Sequence, residues 1–488
     1  MLGAILFCVL ICVYAVWTWR VDFKKGHVLP PLYPGRLPII GHLHLLVGNG
    51  ISLWHTIKDI AAETMKQGGV SCLFLGTKVY YFITDPEDAL TASNVCLQKH
   101  YVYDYAKPWM GDGLITASGE TWHRHRKLLT PAFSLPVTLG FLDIFNNQSR
   151  QFVETLKKEV GKRFDHTVYF RNIALETFCL TAFGITGFDD KNFIQKYMHA
   201  TDKILRIVTS RFQNFWLQSE LIFKLSGLKK KHDDLVKIVN DMSDKVIQRK
   251  KFARNNQTDE YATKTTGIRY IPFLDRLLEL SDDNALTDRE IREEVDTAIV
   301  TGFDTTSSLL SYVMILLGTH PRVQEKMYAE IKEIFDSDRD VEKEDFQKLV
   351  YTEAVIKESL RIFTTGPTTL RYVDKDVRLK NYIMRAGSQC VILLYGAHRD
   401  PVWGKDVEEF RPERWLNDMP ANPAAFAGFS LGKRSCLGKT YAMLSMKTTL
   451  VHFLRRYKVT ADMSNLQLRF DFLLKPISGH EISIEERH

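Results

Sequence analysis

The sequence predicts a mainly α-helical protein with small β-sheets, an α+β fold in which one large domain follows an N-terminal transmembrane helix. Three observations lead to this fold class. The first nineteen residues are apolar and uncharged. Long amphipathic patterns with helical spacing then dominate the chain. Strand-like runs are confined to residues 69–86, 379–394 and 466–488, so the sheets should be small.

The size and charge of the chain narrow the classes of protein to which it can belong. Its 488 residues are 45% hydrophobic, enough for a large buried core. A net charge of +7 suits an acidic protein or an anionic lipid surface, but the chain lacks the dense basic stripe of a nucleic-acid binder. Seven cysteines without a CxxC pair argue against a disulfide scaffold or a zinc ribbon, and fit a reducing compartment.

The N-terminal apolar run is just long enough to span a bilayer. Arg20, Lys24 and Lys25 follow it, and this positive charge predicts that the rest of the chain stays in the cytosol. A cleaved signal peptide is the alternative, but no basic residue precedes the run and no small-x-small cleavage pattern follows it. We predict an anchor at residues 1–20, a stiff Pro-rich hinge at 21–41 and one domain at 42–488.

The best-marked helix begins at Thr287 and Glu290, which form a capping box. Apolar positions then recur at helical spacing until a His-Pro pair ends the pattern. In its middle, TGFDTTSS at residues 301–308 places Gly302, a carboxylate and several hydroxyls in an apolar rod, where glycine costs about 1 kcal/mol relative to alanine. This segment is either a kink or a place where polar groups are needed beside an apolar cavity.

One cysteine stands in an unusual setting. FSLGKRSCLGK, residues 429–439, surrounds Cys436 with glycines and basic residues. As a nucleophile Cys436 would need a general base, and only the distant His398 and His452 are conceivable. As an ordinary metal ligand it lacks companions nearby. A single thiolate can serve as the axial ligand of haem iron, however, because the porphyrin supplies the other four ligands.

The neighbours of Cys436 fit this haem-ligand interpretation. Gly432 and Gly438 would let the backbone lie close beneath a flat macrocycle. Phe429 would shield the sulfur from water, and Arg434 could pair with a propionate, because a guanidinium matches a carboxylate in shape. A helical pattern begins after Gly438, and its N-terminus would favour a thiolate at position 436.

This loop resembles the haem-binding signature F-x-x-G-x-R-x-C-x-G of the cytochromes P450, and other motifs of that family occur in its order along the chain. KESLR and FRPERW resemble the Glu-Arg-Arg ion network of the P450 core, with Glu358, Arg361 and Arg414 in its positions. TGFDTT resembles the motif of the distal helix, with Asp304 and Thr305 as its acid–alcohol pair.

Further matches imply ligands for the haem propionates. WHRHR resembles the W-x-x-x-R motif of the family, which implies that Trp122 and Arg126 contact the propionates. Arg371, at the end of GPTTLR, matches another propionate position, and His398 in HRDP is a weaker match. The implied cofactor is haem b, with Cys436 as the axial ligand of the iron.

The stretches GDGLITASGETWHRHRKLLTPAF and EEVDTAIVTGFDTT are most similar to the fourth P450 family and its clan, which includes insect enzymes and fatty-acid ω-hydroxylases. Many members carry a glutamate, which forms an ester with a haem methyl group, where this chain has Thr301. Threonine cannot form that ester, so the haem should be bound non-covalently, and strict attack on chain ends is less firmly implied. The resemblance also implies that Gly302 leaves room for O2 above the iron.

The resemblance implies a monooxygenase that inserts one atom of O2 into a lipophilic substrate, such as a fatty acid, a terpenoid or hormone, or a xenobiotic. The chain has no P-loop and no convincing Rossmann or flavin fingerprint. Electrons from NADPH should therefore arrive through NADPH-cytochrome P450 reductase, with cytochrome b5 as a second donor, at the endoplasmic reticulum membrane. Arg124, Lys127, Lys433 and Lys439 would face the acidic reductase, with ordinary solvated side chains as the alternative.

Two other functions are considered: a non-oxygenating P450, such as a hydroperoxide isomerase or dehydratase, and a haem-binding sensor. The intact Asp304-Thr305 pair argues against the first. Family positions also suggest walls of a substrate pocket, with core packing as the alternative for each. They are Tyr103, Met110, Ala298, Thr301, Thr365, Thr368 and Ile477. Residues 211–232, apolar and then basic, are either a membrane-contacting surface or an ordinary amphipathic helix.

Overall fold

The computed structural model describes residues 2–23, 29–185, 191–256 and 271–487. Helices form most of it, as the amphipathic patterns predict. The helices are α1 (Leu2–Phe23), α2 (Gly50–Lys66), α3 (Pro86–Val95), α4 (Lys107–Met110), α5 (Gly119–Leu129), α6 (Leu135–Leu139), α7 (Leu142–Thr155), α8 (Thr167–Phe183), α9 (Lys191–Gln213), α10 (Glu220–Leu225), α11 (Leu228–Asn255), α12 (Phe273–Asp282), α13 (Asp288–Thr319), α14 (Pro321–Ile334), α15 (Val350–Ile362), α16 (Leu394–Ala397), α17 (Arg414–Asn417) and α18 (Lys439–Arg456).

The strands are short and form small sheets, in agreement with the few strand-like runs in the sequence. They are β1 (Val70–Leu75), β2 (Lys78–Ile83), β3 (Gln98–Lys99), β4 (Arg163–Phe164), β5 (Thr368–Tyr372), β6 (Val377–Arg378), β7 (Ile383–Met384), β8 (Gln389–Leu393), β9 (Tyr457–Ala461), β10 (Gln467–Asp471), β11 (Leu473–Ser478) and β12 (Ile482–Glu486). The larger sheet has the order β1-β2-β8-β5-β3, a second has the order β4-β12-β9, and β10–β11 and β6–β7 are hairpins. The sequence patterns did not predict β3, β4, β5 or β9.

Helix α13 crosses the helical core. Thr287 Oγ1 accepts a hydrogen bond from Glu290 N (3.2 Å), and the Glu290 carboxylate accepts one from Thr287 N (2.8 Å), which confirms the predicted capping box. The helix runs unbroken to Thr319, so residues 301–308 do not form a kink. Their hydroxyls donate to carbonyls of the preceding turn; Thr305 Oγ1 lies 2.6 Å from Thr301 O.

Glycine at position 302 is explained by helix packing. Helices α13 and α8 make an extensive contact, and a Cβ on Gly302 would collide with the ring of Phe178 on α8. The expectation that Gly302 leaves room for O2 above the iron stays a prediction. The missing side chain admits the Phe178 ring, and this lets the two helices approach closely.

The segment that precedes the domain lies against the larger sheet. Tyr33 N donates to Cys72 O (3.0 Å), and Cys72 N donates to Pro31 O (2.9 Å). Among the described helices, α13 alone is long and apolar enough to cross a membrane, and it is mostly buried. Helix α1 exposes apolar side chains such as those of Leu6 and Phe7. The predicted basic residues Lys24 and Lys25 lie outside the described residues.

Candidate functional site

Three buried charged residues join α15 to α17. Arg361 Nε donates to Glu358 Oε2, and Arg414 Nε donates to Glu358 Oε1, each at 2.8 Å. All three side chains are fully buried. Burial raises the pKa of Glu358, but its hydrogen bonds and the charges of both arginines outweigh this and hold the pKa below its usual value. The predicted ion network is therefore formed, and it stabilises the chain ahead of the cysteine loop because each buried charge has a partner.

The cysteine loop lies between this network and α18. Cys436 N donates to Phe429 O (2.8 Å), which closes the loop. The exposed surface of the Cys436 side chain faces a cavity inside the protein, and protein atoms surround the thiol closely. Burial raises the pKa of the thiol, whereas the Gly438 amide, Arg126 and Lys439 act to lower it. These three groups would stabilise the thiolate form of Cys436 when it binds iron.

The cavity at Cys436, called the cysteine cavity below, has a volume of about 370 Å³ and lies between α5, α13, α18 and β5. Most of the sequence-predicted site residues line it, although they come from distant parts of the chain. They are Trp122, Arg126, Ala298, Thr301, Thr305, Thr365, Thr368, Arg371, Phe429, Arg434, Cys436 and Gly438. The structure thus brings the candidate axial ligand, the candidate propionate ligands and one half of the acid–alcohol pair into one space.

One wall of the cysteine cavity carries three basic side chains, those of Lys99, Arg371 and Arg434. Arg371 is 2% exposed, and its Nε is buried without a hydrogen-bond partner. Lys99 lies over the ring of Tyr103, with Nζ 3.9 Å from the ring centroid. Burial, and then the charges of Arg371 and Arg434, lower the pKa of Lys99 well below its usual value. Within the described residues, no salt bridge joins these three cations to a carboxylate, so the wall is suited to an anionic ligand.

The lining of the cysteine cavity matches the shape and charge of haem. A Cβ on Gly438 would meet no heavy atom within 4 Å, so this glycine faces open space beside Cys436. A cationic wall with unused donors suits two propionates. A single cysteine suits an axial ligand. The residues present therefore fit the group.

Arg434 and Arg126 also hold the backbone around the cavity. Arg434 donates to Leu97 O (2.8 Å) and to Ala117 O (2.5 Å), and its guanidinium lies 4.6 Å from the ring centroid of Trp122. Burial, followed by the charge of Arg371, lowers the pKa of Arg434 to about 9. Arg126 Nη1 donates to Ser435 O (2.9 Å), next to the cysteine.

Two expected haem contacts are corrected by the structure. His398 does not line the cysteine cavity; its Nε2 accepts from Ala427 N (2.9 Å) and its Nδ1 bonds to Thr364 Oγ1 (2.7 Å). Both ring nitrogens of His398 are therefore hydrogen-bonded within the protein, and one of these bonds holds the backbone at Ala427, just before the cysteine loop. Gly432 has φ +64°, and a Cβ there would lie 2.8 Å from Ser93 of α3. It permits a left-handed turn packed on α3 and does not line the cavity.

Three expected pocket residues also lie elsewhere. Met110 is 2% exposed and packs in the hydrophobic core at the end of α4. Tyr103 lines a separate apolar chamber beside the cysteine cavity. Ile477 lines a polar cavity on the other side of α13. Family position alone could not separate these surfaces, because adjoining strands and turns expose their side chains to different spaces.

The acid and the alcohol on α13 face different cavities. Thr305 lines the cysteine cavity, whereas Asp304 lines the polar cavity, which has a volume of about 300 Å³ and lies between α8, α9, α13 and the β10–β11 hairpin. Asp304 Oδ1 accepts from Lys475 Nζ (2.8 Å), and Arg171 lies 3.8 Å away. Lys475 also donates to Asp202 (2.9 Å). Burial raises the pKa of Asp202, but Lys475 and Arg171 outweigh it, and the pKa falls to about 2.

Sequence reasoning missed two further residues at these cavities. Lys99 belongs to no motif, and only its buried position beside Arg371 identifies it. Lys475 precedes the predicted Ile477 by two residues, and only the hairpin geometry brings its ammonium group to Asp304. Neither residue carries a local signal in the sequence.

Comparisons with known proteins identify the family. The cytochrome P450 family model matches residues 30–483. The chain is 34% identical to cytochrome P450 4c3 of Drosophila melanogaster over 93% of this chain and 89% of the relative. It is 33% identical to cytochrome P450 4c21 of Blattella germanica over 85% of each chain, and 30% identical to cytochrome P450 4V2 of Homo sapiens over 94% of this chain and 90% of the relative.

The chain therefore belongs to the cytochrome P450 family, matches its fourth family, and is a monooxygenase of that class. Cytochromes P450 bind haem b through a cysteine thiolate, and this chain binds it non-covalently. In this chain Cys436 is the cysteine at the expected place in the signature and in the cavity. The absence of a carboxylate at position 301 agrees with non-covalent binding, because threonine cannot form the ester. The Thr301 hydroxyl donates to Thr297 O (2.8 Å).

Proposed function

We propose that this protein inserts one oxygen atom of O2 into an uncharged or weakly polar lipophilic substrate, with electrons from NADPH that arrive through a flavoprotein P450 reductase. The observation that carries the proposal is the cysteine cavity, which Cys436 and Thr305 both line together with many apolar side chains. Haem, when bound there, supplies the iron at which O2 is reduced. The roles of the residues follow from their positions.

The proposed haem ligands are Cys436 for the iron, and Arg371, Arg126, Trp122, Arg434 and Lys99 for the propionate side. Arg371 has an unused donor at Nε, and Lys99 lines the same cavity, so both would bind carboxylates directly. Arg434 already donates to backbone carbonyls, so it would contribute mainly charge. Phe429 lies beside the thiol and would exclude water from it.

Proton delivery is assigned to Asp304 and Thr305. Asp304 takes protons from the polar cavity, which contains charged groups and hydroxyls, and passes them around the helix towards Thr305. The Thr305 hydroxyl donates to Thr301 O, and its oxygen can also accept a hydrogen bond from a proton donor. The presence of both the acid and the alcohol supports oxygen insertion over an isomerase or a sensor.

The proposed electron donor binds the surface beside the cysteine loop. Lys127, Lys433 and Lys439 are exposed there, which suits an acidic reductase and also cytochrome b5. Arg124 fits this surface less well, because its guanidinium is paired with Glu290 and donates to Ala285 O.

The proposed location is the endoplasmic reticulum membrane, with the domain in the cytosol. Helix α1 would be the anchor, since its described apolar side chains are exposed. A second contact is supported by Trp216, Leu221 and Leu225, which are 41%, 66% and 78% exposed. Apolar side chains of this kind, followed by lysines, suit the membrane interface.

The ferrous–CO difference spectrum and reductase-dependent NADPH oxidation test this function. The wild-type protein should show the thiolate-type Soret band and make oxygenated product only with reductase, while Cys436→Ser should lose both. A wild-type protein without that band would refute haem–thiolate binding. A normal band without reductase-dependent turnover would instead favour the isomerase or sensor.

Acid–acetone extraction tests the predicted role of Thr301. The extraction should remove all haem from the protein, because no carboxylate at this position can form an ester. Haem that stays with the polypeptide after extraction would contradict the prediction. Absorbance of the protein and solvent phases measures the outcome directly.

A further inference from the structure

The segment of residues 111–117 connects α4 to α5 and forms part of the wall of the cysteine cavity. Leu114 and Ile115 line this cavity. The segment contains no helix or strand, although Thr116 Oγ1 donates to Gly111 O (2.7 Å) and closes it into a turn. Its position therefore depends on the groups that bind its backbone from outside.

Helix α13 holds one side of the 111–117 segment. Asp112 N donates to Glu293 Oε2 (3.0 Å), and Leu114 N donates to Glu294 Oε2 (3.2 Å). The segment lies so close to the helix that a Cβ on Gly113 would be 2.7 Å from Glu293 O. Two successive carboxylates of α13 thus bind alternate amides of the segment.

The cysteine loop holds the opposite side of the 111–117 segment. Arg434 Nη2 donates to Leu114 O (3.3 Å) and to Ala117 O (2.5 Å). Leu114 therefore links α13 to the cysteine loop, because Glu294 binds its N–H and Arg434 binds its C=O. Its side chain lines the cavity, so a change at Glu294 can reach both the cavity wall and Arg434.

Glu294 is held in turn by a histidine of α5. The Glu294 side chain is 2% exposed, and its Oε1 lies 2.7 Å from Nδ1 of the fully buried His125. Burial lowers the pKa of His125, but the hydrogen bond and charge of Glu294 outweigh this and raise it. Burial raises the pKa of Glu294, which His125 and the Leu114 amide oppose. A buried carboxylate needs such partners to remain charged.

The other charged groups at His125 also come from α5 and α13. His125 Nε2 lies 3.3 Å from Glu290 Oε1 and 3.1 Å from Arg124 Nη2, and these two side chains are paired with each other. The acid of the 111–117 segment, Asp112, is paired with Lys107 (3.0 Å). Both ring nitrogens thus face a carboxylate, which suits a protonated imidazole because both of its N–H groups donate.

We propose that Glu294 is a positioning residue for the reaction, that His125 is its proton-carrying partner, and that the pair fixes Leu114 in the wall of the cysteine cavity. Protonated His125 holds the carboxylate by a charge-assisted hydrogen bond, and loss of the proton weakens this hold. The binding of bulky ligands in the cavity therefore depends on pH. This inference rests on the proposed function, because it concerns ligands bound beside haem at Cys436.

The direction of the pH dependence follows from the pKa of His125. Because the folded-state pKa is raised, the charge-assisted bond is fully present below pH 6.5 and is lost as the pH rises through the folded-state pKa. A wall that is held in place binds a bulky ligand more tightly than a wall that must first be ordered. A small ligand that does not reach the wall should be unaffected.

Two iron ligands of different size test the proposal on the ferric holoenzyme. They are N-methyltriazole and N-benzyltriazole, whose rings stay neutral at pH 6 and pH 8.5. The triazole nitrogen binds the iron and shifts the Soret band, so both dissociation constants are read directly. In the wild type, the preference for N-benzyltriazole over N-methyltriazole should be about fivefold larger at pH 6 than at pH 8.5, the difference between a charge-assisted and a neutral hydrogen bond.

Four variants assign the effect to its residues. His125→Asn keeps a neutral donor and should show the same reduced preference at both pH values. Glu294→Ala frees the Leu114 amide and should lose about tenfold of the preference at pH 6. Glu294→Gln keeps an acceptor for that amide and should recover most of this loss, without a pH dependence. His123→Asn changes an exposed histidine of the same helix and should behave as the wild type.

Two results would overturn the proposal: a wild-type preference in Glu294→Ala, or a pH dependence that persists in His125→Asn. The ferrous–CO spectrum of each variant separates these results from failure of the proposed function. A normal thiolate-type band with an unchanged preference rejects the positioning role alone, and loss of the band in the wild type rejects the function itself. If Glu294→Ala does not retain haem, the pH dependence of Glu294→Gln and His125→Asn decides.

Discussion

The two faces of α13 line cavities of opposite character. Thr301 and Thr305 face the cysteine cavity, which is largely apolar apart from its cationic wall, while Asp304 and Ser308 face the polar cavity. Successive residues on a helix are rotated by about 100°, so one turn serves both spaces. A charged acid can thus lie one residue from an apolar substrate site without entering it.

The two cavities also differ in how their charged side chains are paired. In the polar cavity, Asp304 and Asp202 share Lys475 and Arg171, so buried charges are paired within the protein. In the cysteine cavity, Arg371 Nε is buried without a hydrogen-bond partner, and among the described residues no salt bridge joins Arg371 or Lys99 to a carboxylate. The acids of the first space have cationic partners within the protein, whereas the basic groups of the second are suited to an anionic ligand.

Asp304→Asn should have the largest effect, because it removes the acid to which proton delivery is assigned. We expect product formation to fall by about 100-fold or more, the usual contribution of a general acid, while the ferrous–CO band is kept. Ser308→Ala is the matched control, since Ser308 faces the same cavity and donates to Asp304 O (2.7 Å). Activity of the asparagine variant within a few-fold of the wild type would show that protons take another route.

Lys475→Met should destabilise the polar cavity. Asp304 and Asp202 lose their shared cation, but Arg171 remains 3.8 Å from Asp304, so we expect a loss of about 2 kcal/mol in unfolding free energy. The pKa of Asp202 should rise from about 2, because a positive charge that favours the carboxylate is gone. Urea unfolding measures the loss.

The exposed Lys458→Met is the control for that measurement. If both lysine variants unfold at the same urea concentration, Lys475 does not stabilise the polar cavity. Equal losses for Lys475→Met in the wild type and in Asp304→Asn would show that the lysine acts through Asp202 alone.

Thr305→Ala should have a smaller effect, on the apolar side of the helix. It removes one neutral hydroxyl, and we expect the yield of product per NADPH to fall by about tenfold, the value of one hydrogen bond. Thr306→Ala serves as a neighbouring control. Product yield and NADPH oxidation are measured together, and an unchanged ratio would exclude a role for Thr305 in proton delivery.

The smallest effect is expected at the edge of the polar cavity, where His480 Nε2 lies 3.3 Å from Asp165. The hydrogen bond to Asp165 raises the pKa of His480 above 6.5, although burial opposes it. Because the folded-state pKa is raised, this stability is present below pH 6.5 and is lost as the pH rises through the folded-state pKa.

The wild type should therefore be more stable than His480→Asn by up to about 1 kcal/mol at pH 5.5. The difference should vanish by pH 8.5. Urea midpoints at the two pH values measure it. A difference that is the same at both values would mean that the pair does not depend on the charge of His480.

Much of the site was predictable because its residues lie in short segments. The cysteine loop, the pair Glu358 and Arg361, and the capping box at Thr287 are local patterns, and hydrogen bonding at fixed spacing makes them readable. The predicted strands β1, β2 and β8 correspond to short, mostly apolar runs. By contrast, β3 and β4 contain two residues each, too few to show a periodicity.

The residues that were missed or misplaced are those whose surroundings depend on where the side chain points in the folded protein. Ile477 and Lys475 both belong to β11 and face the polar cavity, a destination that the sequence of a strand does not specify. His398 was expected at the haem, but the amide of Ala427 occupies its Nε2. Gly302 occupies a position of the family motif, and a Cβ there would collide with the ring of Phe178 on another helix.

The sequence by itself determined the helical class of the fold, the unusual setting of Cys436 and the acid–alcohol pair on one helix, because each follows from local spacing and side-chain chemistry. Only the tertiary structure decided which cavity each side chain faces. Asp304 faces the polar cavity and Thr305 the cysteine cavity, because packing between distant helices and strands encloses these spaces. No local pattern encodes the contacts that enclose them.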